Sequence, residues 1–359
     1  MPQTYDVRRQ RLLSLAHDAG AEAALVTSLV NVRYLTGFTG SNAALLLTDR
    51  DAVLATDGRY TTQAGTQAPD VEILLDRDCA AGLVARAARD GLRRLAFEAH
   101  VVTVDAHAAL AAIDGAPQLL ALGTAVEALR TVKDEHEIEM LREACAIGDR
   151  ALAETLETIA PGHTEREVAR RLESTMVELG ADGIAFETIV ATGPNSAIPH
   201  HRPTHREIGR GDLLKIDFGA LYGGYHADCT RTVVVGRQPE DWQQEIYDVV
   251  RAAQRAGRHA LTAGADVRDV DAAARSVVAD AGYAEAFPHG LGHGVGLEIH
   301  EAPMMGYRAS GRLAARTPVT VEPGIYLPDR GGVRLEDTLV VTDGVPDLLT
   351  TTPKDLLVL

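Results

Sequence analysis

Cysteine is scarce in these 359 residues: Cys79, Cys145 and Cys229 are odd in number, far apart, and form no CxxC or Cys/His zinc pattern. Such sparse thiols argue against a disulfide framework and suit a reducing cytosol. Positive charge is also short. With 35 Lys and Arg against 51 Asp and Glu, the formal net charge is -16, so electrostatics oppose a phosphate-backbone partner and no nucleic acid is expected. No run reaches the roughly 18 apolar residues of a membrane span, and "MPQTYDVRRQRLLSLAHDAG" lacks the apolar core of a signal peptide. The expectation is a soluble cytoplasmic protein with no membrane partner. What is present is ordinary for a globular chain, 46% hydrophobic and 24% charged. At about 150 residues per domain, it is long enough for two or three domains.

Residues 1–125 alternate helical and strand patterns. "RRQRLLSLAHDAG" reads as a helix closed by Gly20, "AALVTS", "AALLLT" and "AVLAT" as short strands, and "ARAARDGLRRLAFE" as a helix running into another strand. This is an α/β domain in its own right. From 126 to 359 the regime changes, with Ile138, Leu141, Cys145, Leu152, Leu156 and Ile159 at helical spacing. The order helix, glycine turn, helix, glycine turn, strand runs from Glu137 and again from Glu245. Thr164 and Glu167 are spaced as a capping box for the second helix of the first copy. Each copy leads into a loop containing glycine and histidine and then a strand hairpin. The class is therefore α/β (α+β), with a pseudo-twofold second domain whose site lies between its halves.

The hairpin "GDLLKIDFGALYGGYHADCTRTVVV" carries Asp217 and Asp228 where apolar or neutral side chains belong. If its turn centres on Tyr222 and Gly223, the two acids face each other, a destabilising arrangement for like charges. Its counterpart "PVTVEPGIYLPDRGGVRLEDTLVVT" repeats the anomaly with Glu322 and Glu336. Isolated buried carboxylates are costly, so such groups are paired or bind metal. Arg231 and Arg334 are the nearby candidates for salt bridges, which leaves an excess of acid. Two divalent cations would balance four carboxylates.

A nitrogen ligand is expected at such a centre, and "FPHGLGHGVGLEIHEAP" offers His289, His293 and His300 among glycines that permit close backbone approach. His200 and His201 in "GPNSAIPHHRPT" occupy the equivalent loop of the first half. Oxygen-rich ligation with imidazole suits manganese, cobalt, iron or zinc. Paired ions would lower the pKa of a water and supply hydroxide, so the chemistry implied is metal-assisted hydrolysis of an amide or ester.

These motifs resemble the pita-bread metallopeptidases, in the branch of aminopeptidase P and prolidase, and most resemble the cytoplasmic Xaa-Pro peptidases of actinobacteria. Asp217 and Asp228 match in "IDFGALYGGYHADCTRT", His293 in "GHGVGLEIHE", Glu322 in "VEPGIY" and Glu336 in "VRLEDT". "NVRYLTGFTGSNAALLLT" and "ATDGRYTTQA" resemble the N-terminal creatinase/prolidase-like domain of that branch. The resemblance implies two divalent ions, manganese first, with cobalt or zinc as alternatives. It places Asp217 on one ion, His293 and Glu322 on the other, and Asp228 and Glu336 on both. Glu322 would also shuttle the proton, His300 would bond the scissile carbonyl, and His200 and His289 would shape the proline pocket. Arg334 would hold carboxylates in place, and His201 could contact substrate.

The implied substrates are small peptides with proline second, and the implied assembly is a homodimer. Prolidases hold the free carboxylate of a dipeptide, commonly with an arginine soon after the "HE" pair. Here "HEAPMMGYRAS" has Met304 four residues after His300 and no arginine before Arg308. The reading is therefore Xaa-Pro aminopeptidase, with Xaa-Pro dipeptidase as the alternative. A hydrolase of this fold acting on other substrates and a non-catalytic scaffold remain as further readings.

Overall fold

The structure, a computed structural model, describes residues 2–359, with side chains from Thr4 onward. The chain divides into two compact units, Met1–Arg130 and Thr131–Leu359. In the first, α1 (Pro2–Asp18) leads to β1 (Ala23–Val26), α2 (Leu29–Thr36), β2 (Ala43–Leu47) and β3 (Ala52–Thr56). Then come α3 (Thr61–Gln67), β4 (Glu72–Leu75), α4 (Cys79–Arg89), β5 (Arg94–Phe97), α5 (Val104–Ala111), β6 (Gln118–Ala121) and α6 (Ala125–Thr131). The six strands form one mixed sheet in the order β4-β3-β2-β1-β5-β6. Leu25, Leu46, Val53, Leu83 and Leu95 fill its core. The strands and helices expected here from the sequence all form.

The second unit opens with α7 (Glu135–Leu156) and α8 (Glu165–Glu178). Asp134 with Glu137, and Thr164 with Glu167, close reciprocal capping boxes at their starts. Strands β7 (Gly183–Ile184), β8 (Ile189–Thr192), β9 (Leu213–Phe218), β10 (Ala220–Tyr222), β11 (Tyr225–His226) and β12 (Cys229–Val234) complete the first half. The second half repeats the order with α9 (Asp241–Ala260), α10 (Val267–Asp280), β13 (Gly292–Gly294), β14 (Glu301–Met305) and β15 (Pro318–Val321). It ends with β16 (Gly324–Leu327), β17 (Gly331–Arg334), β18 (Asp337–Val340) and β19 (Asp347–Leu348). Each half has its own apolar core: Leu152, Leu172, Ile216 and Phe218 in the first, Ile246, Val270, Leu291 and Val321 in the second. The mixed α/β architecture with a duplicated second part is as the sequence predicts.

The hairpin register differs from expectation. Its turn centres on Gly223 and Gly224, both at positive φ (56° and 82°), the pair of conformations a tight two-residue hairpin turn requires. Tyr222 therefore pairs with Tyr225, and Asp217 faces Thr230 rather than Asp228. Asp228 sits just before β12, two residues from Thr230 and so on the same sheet face as Asp217. The like charges are diagonal neighbours, not opposites.

Candidate active site

A seam between the halves of the second unit gathers the four unusual acids. Glu336 bonds the Thr230 carbonyl through its backbone N–H at 3.1 Å, and Thr338 Oγ1 donates to the Asp228 carbonyl at 2.8 Å. These contacts bring the segment between β17 and β18 alongside β12. Glu322 follows β15, and its N–H bonds the Leu291 carbonyl at 2.8 Å, which places it beside β13. A Cβ on Gly292 would lie 2.1 Å from the Thr320 carbonyl oxygen, so only glycine lets β13 approach β15 this closely. His293 is thereby carried against the acids.

The ligating atoms of Asp228, His293 and Glu336 all lie within 4.8 Å of one another. His293 Nε2 is 3.5 Å from Asp228 Oδ2 and 3.5 Å from Glu322 Oε1. Its Nδ1 lies 3.0 Å from the Gly294 carbonyl, which can only accept. Nδ1 therefore carries the proton, and Nε2 turns its lone pair toward the carboxylates. Burial pushes the imidazole down to about 4, so it stays neutral. The acids shift oppositely. Burial, then the charges of Glu336, Asp217 and Glu322, raises Asp228 well above its ordinary value. Burial, then Glu322 and Asp217, does the same to Glu336. Burial brings Glu322 up to about 8. Three acids that cannot comfortably ionise together, facing an imidazole lone pair, form a donor set that fits a hard or borderline divalent cation.

The arginines offset this cluster only in part. Arg231 pairs with Asp337 at 2.8 Å. Arg334, 2% exposed, bonds Asp217 Oδ2, Thr230 Oγ1, the Pro199 carbonyl and the Tyr326 hydroxyl. Asp217 Oδ1 is buried with no hydrogen-bond partner among the described residues. An orphaned carboxylate oxygen beside three crowded acids is a second sign that the donors fit a metal.

The histidines fall into three settings. His300 packs its ring 4.4 Å from that of His293, and burial lowers its pKa. His289 bonds the Tyr326 hydroxyl at 2.9 Å through Nε2. His200 is exposed at the rim, whereas His201 is buried and tied to Glu165 Oε2 at 2.8 Å. Glu165, at the start of α8, also accepts from Thr192, Asn195 and Thr204 and so ties down the loop bearing both histidines.

Two cleft lobes meet at the acids. One, of about 300 Å³, is lined by Phe186, Ile189, Arg202, Ile299 and all five expected ligands. The other, of about 580 Å³, is lined by Pro199, His289, Met304, Tyr307, Arg308 and Arg334. His200, His293, His300 and Glu322 border both. Sequence reasoning missed Lys215, Tyr326 and Glu165. A lysine inside an apolar strand was the visible signal for the first; the other two act through distant contacts.

Fold and site together define a metal-dependent peptidase. Residues 139–343 match metallopeptidase family M24, and residues 8–132 match the Creatinase/Prolidase N-terminal domain. The chain belongs to metallopeptidase family M24, and membership implies divalent metal ions. It is 40% identical to the uncharacterized peptidase YqhT of Bacillus subtilis over 354 residues, 98% of this chain and 100% of that one. Among solved structures it is similar to a Xaa-Pro dipeptidase from Bacillus anthracis (TM-score 0.95, 39% identity, 99% of this chain and 100% of that one). It is also similar to an X-Pro aminopeptidase from Thermotoga maritima (TM-score 0.90, 36% identity, 98% and 99% covered).

Proposed function

We propose that this protein is an Xaa-Pro dipeptidase. The observation that carries this reading is Arg308, which lines the lobe beyond His289 and His300 and offers a cation to a dipeptide's free carboxylate. Its position outweighs the sequence argument from Met304, which rested on spacing alone. The higher similarity to a dipeptidase than to an aminopeptidase supports the same choice. The second reading, Xaa-Pro aminopeptidase, is favoured by the 580 Å³ of that lobe, which has room for residues beyond proline.

In this proposal Asp217, Asp228, His293, Glu322 and Glu336 would hold two divalent ions. When bound, such ions lower the pKa of a water and supply hydroxide near neutral pH. The chain's own groups do the rest. Glu322, ionised as a ligand would have to be, would take a proton from the attacking water and pass it to the departing proline nitrogen. His300 donates to the scissile carbonyl and to the charge that develops on its oxygen. His200 and His289 wall the proline pocket, with His201 behind the first of them. Arg334 fixes the Asp217 carboxylate.

Oxygen-rich ligation supports manganese, with cobalt or zinc as alternatives. A homodimer in the cytoplasm completes the proposal, supported by the family resemblance and by three free, buried cysteines. No helix among the described residues is long and apolar enough to cross a membrane.

Turnover of Ala-Pro, Ala-Pro-Ala and Ala-Ala-Ala with added manganese or cobalt tests the reading. Ala-Pro should be the best substrate. Equal cleavage of Ala-Ala-Ala would refute proline specificity, and cleavage of Ala-Pro-Ala with Ala-Pro left intact would establish the aminopeptidase reading instead.

A further inference from the structure

Strand β9 is buried along its whole length, yet its third residue is a lysine. Lys215 is 0% exposed and lies two residues before Asp217, so the two side chains leave the same face of the strand. A buried amine is expensive unless its N–H groups are satisfied. Lys215 Nζ donates to the Ile198 carbonyl at 2.6 Å and to the Pro199 carbonyl at 3.1 Å. It also sits 5.0 Å above the Tyr326 ring. Arg334 Nη1 reaches the same Pro199 carbonyl at 3.2 Å.

The next residue is His200. Its side chain is exposed at the point where the two lobes meet. Its position depends on the backbone. Downstream, Glu165 grips His201 and Thr204. Upstream, Ser196 accepts from the Gly332 N–H at 2.8 Å. Between these anchors the carbonyls of Ile198 and Pro199 are held by Lys215, with Arg334 sharing the second. The Tyr326 ring beneath Lys215 Nζ carries the hydroxyl that meets His289. One buried side chain thus holds the two carbonyls that lead into His200.

We propose that Lys215 is a positioning residue that sets His200 at the seam of the cleft by clamping the Ile198 and Pro199 carbonyls. The inference rests on the peptidase reading of that cleft. Lys215→Met removes the donors and keeps the length of the side chain. On whichever Xaa-Pro peptide the protein cleaves fastest, kcat/KM should fall about 10- to 100-fold, the scale of a misplaced group. In a His200→Ala background the same substitution should cost less than about twofold, because residues acting as a unit are non-additive. Bound metal per chain should not change. Hydrogen exchange over residues 193–204 should quicken at least about tenfold, as expected where a local hydrogen-bonded clamp opens.

Equal losses in both backgrounds, or unchanged exchange in a protein that turns over normally, would overturn the inference and leave the peptidase reading intact. Faster exchange in a protein whose unsubstituted form cleaves no Xaa-Pro peptide would overturn the peptidase reading and leave Lys215 as a loop clamp alone. Should Lys215→Met not fold, Lys215→Gln keeps one N–H donor pair and is read by the same cycle: non-additivity supports the inference and additivity defeats it.

Discussion

Glu336 and Asp337 are adjacent, both buried, and opposite in character. Asp337 accepts from Arg231, Gln254, Lys354 and Thr350. Burial alone would raise its pKa, but the Arg231 and Lys354 charges hold it below its ordinary value. Glu336 has one side-chain donor, Thr230 Oγ1 at 2.6 Å, and faces Asp228 and Glu322. Burial, then the charges of Glu322 and Asp217, push it well up. One peptide bond separates an acid the protein has already neutralised from an acid crowded by other acids. Burial of a carboxylate thus says little by itself; what faces it decides whether it serves the fold or the site.

Substitutions at the two positions should separate these roles. Glu336→Gln should lower turnover by at least about 1,000-fold, since it removes a ligand charge worth several kcal/mol in the transition state. The metal-free melting temperature should hold or rise, because a crowded charge is gone. A variant with normal turnover would break the assignment. Asp337→Asn should do the reverse, destabilising by about 3–5 kcal/mol because it strands the buried Arg231 and Lys354 charges. Calorimetry should then show melting lowered by roughly 10 °C, and a shift within a degree or so would contradict the contrast.

Arg308→Met probes the substrate end of the same cleft. KM for Ala-Pro should rise about tenfold or more, the value of a charge-assisted hydrogen bond, and KM for Ala-Pro-Ala far less. Equal changes for both peptides would remove the dipeptidase argument.

The smallest effect is a pH dependence in the chelator-treated protein. Above 6.5, the ordinary imidazole value, His289 and His293 are neutral folded or unfolded. Between there and about 8, folded Glu322 retains a proton that the unfolded chain has lost. The folded state binds more protons, so stability falls as pH rises through this window. Manganese should cancel the slope. A melting temperature that climbs with pH in the metal-free protein would contradict the raised carboxyls.

The acids were legible because Asp217, Asp228, Glu322 and Glu336 each interrupt or border apolar sequence in two similar hairpins, although only Asp217 lies within a strand and the other three sit at strand ends. The register was not, since "LYGGY" allows a turn centred one residue earlier, and only the positive φ of both Gly223 and Gly224 decides it. Lys215 broke the same apolar strand but reads alone as a partner for the nearby acids; its carbonyl partners lie 16 and 17 residues back. Arg334 reaches Asp217 across 117 positions and Glu165 reaches Thr204 across 39. Periodicity reports local faces, and pairings of that range leave no local trace. Arg308 was visible in the sequence, but spacing after His300 carries no information about how the chain folds back to bring it to the lobe.

The most direct test of the metal centre is equilibrium dialysis against manganese with the bound metal counted by mass spectrometry. The unsubstituted protein should retain about two ions per chain, as a paired site requires, and Glu336→Gln clearly fewer. Retention of less than about one ion by the unsubstituted protein would contradict the account.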